Sequence, residues 1–103
     1  MNLSALSAEM FASHLGSDFV LEGPDGVIDA TLVRCPVNPK GTHPDAARTA
    51  FSLILSATAD GVPNINGGHF LVHHAELGAF GPVYVERILS ARPSEAMLQI
   101  IFN

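Results

Sequence analysis

The stretch "DFVLEGPDGVIDATLVRCPV", residues 18–37, decides the fold. At its centre Gly23-Pro24-Asp25-Gly26 is a turn signature, because proline presets a turn φ and glycine tolerates φ > 0. The second arm has period two. Ile28, Ala30 and Leu32 share one face, while Asp29, Thr31 and Val33 share the other. The segment reads as a β-hairpin, with residues 19–22 pairing with residues 27–35 and one face mostly wet.

Turn chemistry of the same kind punctuates the rest of the chain. Residues 49–58, "TAFSLILSAT", read as a strand with Phe51, Leu53 and Leu55 inward and Ser52, Ile54 and Ser56 outward. Asp60-Gly61 and Asn66-Gly67 mark turns. Residues 69–74, 82–89 and 96–103 read as three further strands, the last running to the end of the chain. Between the hairpin and residue 49, residues 36–48 hold three prolines and read as a long loop, the one stretch of suitable length for a binding loop. Upstream, "LSAEMFASHLG" reads as a short helix over about residues 7–15. Ser7 is its N-cap, Glu9 lies in its first turn and Gly16 is its C-cap. Leu6, Met10, Phe11 and Leu15 form its apolar stripe. His14, in its last turn, complements the helix dipole.

One helix and about six strands, joined by turns rather than helices, give a mainly β fold. A small antiparallel barrel or sandwich, with the helix over an open end, is expected. The 103 residues constitute one domain, 1–103, with the β part at about 18–103.

Composition narrows the function classes. Apolar residues make up 48% and charged residues 15%, with a net charge of −5. The five basic residues are scattered, so no nucleic-acid partner is expected. No apolar run approaches a membrane span, and the first residues, with Glu9 and no basic start, do not read as a signal peptide. A cytoplasmic protein is expected, or one released as part of a virion-like assembly. Cys35 is the single cysteine and reads as a bystander rather than a nucleophile.

Residues 67–81, "GGHFLVHHAELGAFG", hold three of the five histidines. On a strand His69, Leu71 and His73 point one way and Phe70, Val72 and His74 the other. His69 and His73 then stand ~13 Å apart, too far for one ion to bridge. The paired His-x-His of cupins and the His-Glu-x-x-His of zinc proteases are both missing. His73, His74 and Glu76 are the nearest to a ligand set. No metal or cofactor is expected, and His74 and Glu76 are expected to hold the bend that feeds the next strand. No strand-turn-helix elbow presents a serine, so no enzyme is expected.

Taken in order, "LEGPDG", "ATLVRC", the proline-rich loop, "FSLIL", "GGHFLVHHAELGAF" and "IIFN" resemble a family of small, uncharacterised bacterial domains of about this length. The family is marked by a His-Pro-Glu-Leu-Gly turn and a closing Phe-Asn. The matching positions are Phe11, Leu15, Gly16, Phe19, Phe51, Ser52, Leu53, Gly68, His74, Glu76, Leu77, Gly78, Phe102 and Asn103, with Ala75 in place of the proline. The resemblance implies no catalytic residues. It implies genes found near phage-tail-collar-like proteins, and so a structural role in a virion-like or surface assembly.

Together these readings point to a non-enzymatic structural or protein-interaction module that binds a protein partner or itself. Outward apolar residues Ile54, Val33 and Ile101 would form the contact, with residues 96–103 as an edge strand open to a neighbour. The alternative is a small-ligand or metal-binding barrel using His73, His74 and Glu76.

Overall fold

In the computed structural model residues 3–46, 48–62 and 67–103 are described. The chain forms α1 (Ala8–Ala12), β1 (Asp18–Gly23), β2 (Gly26–Arg34), β3 (Val37–Asn38), β4 (Ala50–Thr58), β5 (Gly67–His74), β6 (Gly78–Ile88) and β7 (Glu95–Phe102). The strands pair antiparallel in the order β2-β1-β5-β6-β7-β4, and a β2–β4 pairing closes the circle. The result is a six-stranded barrel, with β3 as an outer strand beside the start of β4.

The hairpin forms as its residues dictate. Phe19 faces Ala30, Leu21 faces Ile28, and Gly23 meets Gly26 across Pro24-Asp25. Gly26 takes φ +136°, as the turn reading requires; Gly16 takes φ +84° but lies beyond the helix, whose C-cap is Ser13. Along β5 the buried residues are Phe70, Val72 and His74, so the period-two division of the histidines holds. In β6 the buried row slips from Phe80 to Val83 and Val85. A bulge opposite Leu71 causes this: Phe70 pairs with Val83 but Val72 pairs with Phe80, which leaves Gly81 and Pro82 as the extra length.

Antiparallel order gives the barrel two unlike ends. The end with Phe19, Leu32, Phe51, Phe80 and Phe102 is sealed by α1, whose Phe11 is fully buried. The Phe11 ring lies 5.6 Å from Phe80, 6.0 Å from Phe51 and 6.3 Å from Phe19 and Phe102. Arg48 locks this seal. Its Nη1 donates to the carbonyl oxygens of Leu3 (2.7 Å) and Leu6 (2.6 Å), and Nε and Nη2 donate to that of Asn103. Its guanidinium also lies 5.5 Å from the Phe51 ring centre and 5.6 Å from that of Phe102. The opposite end, called the mouth below, carries the Pro24-Asp25 turn, the 3-10 turn Ala59–Gly61 and the β6–β7 connection.

Several expectations change. The helix has five residues, and Ser7, though extended as an N-cap should be, makes no side-chain cap bond. Leu15 falls beyond the helix and is half exposed. Ile54 belongs to the outward row but is only 3% exposed. Its register sets it between Arg34 of β2 and Gln99 of β7, and paired neighbours on both sides reduce the surface a strand residue presents to water. Val33, the extra residue of a β2 bulge, and Ile101 remain exposed. Strand β7 is not an outermost strand, because closure places it between β4 and β6, although its last residues, Ile100, Ile101 and Phe102, pair with β4 alone. The expected loop at 36–48 contains β3 and a 3-10 turn, Pro39–Gly41. The turn expected at Asn66-Gly67 rests on Asn66, which lies outside the described residues, as do Met1 and Asn2. No helix among the described residues is long and apolar enough to cross a membrane.

Phe11→Ala is expected to lower unfolding free energy by about 3–5 kcal/mol in urea titrations, whereas Leu15→Ala stays within about 0.5 kcal/mol. Arg48→Ala is expected to cost about 1–3 kcal/mol, and Arg48→Lys to recover only part, because an ammonium lacks the planar fork.

Candidate functional site

Among the described residues, two of the places that collect polar side chains bear on function. The first is the β5–β6 turn at the sealed end, where His74 is 8% exposed. Its Nδ1 accepts the backbone N–H groups of Glu76 and Leu77, each at 3.1 Å. A ring nitrogen that accepts two donors carries no proton, so the proton sits on Nε2. Nε2 then donates to Ser17 Oγ at 3.0 Å, and Ser17 Oγ donates in turn to the His14 carbonyl. The imidazole packs on Phe19 (4.5 Å between ring centres) and edge-on to His14 (4.7 Å).

This wiring decides the chemistry. A serine nucleophile needs a neighbouring base with a free lone pair. His74 presents Ser17 with a proton instead, and the serine hydroxyl is already committed to a carbonyl. The pair is a structural joint that ties the β5–β6 turn to the α1–β1 connection.

The ligand set considered from sequence does not converge. His73 points to the outer face, where its Nε2 meets Glu22 Oε1 of the neighbouring β1 at 2.9 Å. His74 points inward, so adjacent histidines lie on opposite faces of one strand. Glu76 is largely exposed, 3.8 Å from His14 Nδ1. The helix stops before His14, so this histidine serves the turn rather than the helix dipole. Among the described residues no group of three or more His, Cys, Asp or Glu could hold a metal ion. Cys35 donates to the Ala8 carbonyl (3.6 Å), and burial pushes its thiol pKa up.

The second place is the mouth. A cleft of about 530 Å³ opens there. Its walls come from the hairpin tip (Pro24, Asp25, Gly26, Val27, Ile28), the 3-10 turn (Asp60, Gly61, Val62) and the start of β5 (Gly67, Gly68, His69, Phe70). The lining is mixed, with apolar side chains, two carboxylates and an imidazole among it. Among the described residues, His69 is the one histidine whose ring nitrogens have no hydrogen-bond or ion-pair partner; its ring meets Tyr84 edge-on at 5.3 Å. A side chain at position 67 would collide with the Tyr84 hydroxyl, so the bare Gly67 backbone borders the cleft. In the sequence Asp25 and Asp60 are turn residues only. They are 35 positions apart, and nothing local signals that barrel closure brings their turns together.

Residues 6–102 match one family model, described as "Domain of unknown function (DUF6916)". The chain belongs to this family. The matched DUF6916 span runs from the Leu6 carbonyl held by Arg48 to the end of β7, so it covers both the seal and the mouth. No curated protein and no solved structure matches this DUF6916 domain.

His74→Phe keeps a ring in place but removes both nitrogens; it is expected to cost about 1–3 kcal/mol in thermal or urea unfolding, against less than about 1 kcal/mol for His73→Ala. Alkylation by iodoacetamide requires a thiolate. With its pKa raised, Cys35 is expected to react more slowly than free cysteine at mildly alkaline pH and to reach the free-cysteine rate in urea.

Proposed function

We propose that the domain is a non-enzymatic protein-interaction module that engages its partner at the mouth of the barrel. One observation carries this reading: a closed barrel, plugged at one end by Phe11, leaves an apolar-walled cleft at the other. A rigid scaffold with an unfilled concave site is the form that recognition without chemistry requires. The polar cluster that most resembles a catalytic pair, Ser17 and His74, is consumed by its own hydrogen bonds. Exposed apolar residues at Val33 and Ile101 supply secondary contact surface.

The sequence resemblance, with its phage-tail-collar-like gene neighbours, suggests the setting: a component of a tail-like or surface assembly. Such a component is made in the cytoplasm and leaves the cell within the particle. A second reading is a small-ligand site in the same cleft, favoured by a volume within the usual range for ligand pockets. His73, His74 and Glu76 play no part in either reading.

Coexpression with the products of neighbouring genes, followed by sedimentation of the purified material, tests the module. A stoichiometric complex or a defined oligomer is expected, weakened by Val27→Asp at the cleft wall. A monomer at every concentration, with no complex with any of those products, would remove the reading.

A further inference from the structure

At the mouth the strands end unevenly. Residues Gly67, Gly68, His69 and Phe70 of β5 pair with Glu86, Val85, Tyr84 and Val83 of β6. On the other side of β5, β1 pairs only with Leu71, Val72 and His73. The hairpin turns back at Pro24-Asp25, just past Gly23, which the register sets beside Phe70. Among the described residues, Gly67, Gly68, His69 and Phe70 therefore have no strand pairing on that side, and the same four residues line the cleft. Every second residue of an antiparallel strand directs both its N–H and its C=O to a given side, so this edge offers unpaired main-chain groups to whatever enters.

The side chains around that edge have a definite chemistry. Asp25 and Asp60 approach from two different turns, and neither carboxylate has a hydrogen-bond or ion-pair partner among the described residues. The described cleft lining includes no Lys or Arg. Val27, Ile28, Val62 and Phe70 line the same cleft. Arg87 borders only the narrow crevice continuing from the cleft floor. Apolar walls together with two carboxylates complement a side chain with an aliphatic stem and a cationic head.

We infer that the mouth receives an extended segment of a partner protein, which adds as a strand to the open edge of β5 and inserts a lysine or arginine side chain between Asp25 and Asp60. The inference rests on the interaction-module reading and names the partner's chemistry. Main-chain bonds to β5 give affinity, and alternate side chains of the added strand face the cleft, so a cation at one of those positions sets specificity. A free amine would satisfy the carboxylates but leave the β5 edge unpaired, which is why a peptide is the occupant.

The test titrates the ¹⁵N-labelled domain with a blocked pentapeptide, Thr-Val-Lys-Val-Thr. Controls are the same peptide with Glu for Lys, the same peptide with N-methylated backbone, and cadaverine. Saturable shifts are expected at Gly26, Gly67, Gly68 and His69 with the lysine peptide, falling with added salt. The N-methylated peptide and cadaverine are expected to bind at least about tenfold more weakly, and the Glu peptide not measurably. Asp25→Asn with Asp60→Asn is expected to weaken the lysine peptide about tenfold while leaving the unfolding midpoint unchanged. Equal binding of the Glu peptide, or shifts confined to other strands, would overturn the inference. If the complex with a neighbouring gene product forms and the double Asn variant leaves its Kd unchanged, the inference fails while the module reading stands. No complex and no peptide binding together remove both.

Discussion

Five phenylalanine rings meet at the sealed end, and Phe11 is the one that touches the other four, at centre distances of 5.6 to 6.3 Å. The barrel depends on it. Strands β6 and β7 pair only at Glu86–Gln99, Arg87–Leu98 and Ile88–Met97, near the mouth. Towards the sealed end no β6–β7 pairs continue, and Phe11 lies beside both Phe80 and Phe102 where the two strands run on. Arg48 then holds the segment that carries Phe11. Its fork binds carbonyls from Leu3, Leu6 and Asn103, and its planar face lies over two of the rings. One cation thus joins the N-terminal segment, the start of β4 and the end of β7. With that end filled, the mouth is where a cavity remains.

Histidine serves here mainly as a connector. His74 accepts two turn N–H groups and gives its one proton to Ser17, which satisfies every polar atom of a ring buried among aromatics. Burying an imidazole without those partners would cost about 1–3 kcal/mol per unmet group, so the bonds explain why a polar ring is tolerated in the core row of β5. His73 does the equivalent outside by bridging β5 to Glu22 of β1. His69, with no such commitment, sits at the cleft.

Legibility followed the range of the interactions concerned. The hairpin at Gly23–Gly26 could be read because its turn and its alternation are local. So could the division of His69 and His73 from His74, since strand period alone imposes it. The slip in β6 at Gly81-Pro82 and the bulge at Val33 were not legible, because a bulge is defined by the partner strand. The burial of Ile54 was missed for a similar reason: alternation places it outward, and only the register of β2 and β7 sets Arg34 and Gln99 at its sides. Residues 96–103 read as an edge because an edge and a barrel strand have the same sequence pattern. An open edge at the mouth lies on β5, where two strand lengths fail to match among the described residues.

The sequence by itself determined that this is a mainly β domain with one short N-terminal helix, which faces its strands present, and that its histidines split across a strand. Those properties come from φ preferences and side-chain period, which act over a few residues. Tertiary structure alone decided that the sheet closes, that β7 lies between β4 and β6, that Ser17 meets His74 across 57 positions, and that Asp25 and Asp60 share a cleft. These depend on which strand ends come together once Phe11 fills one end of the barrel, and no local pattern encodes that meeting.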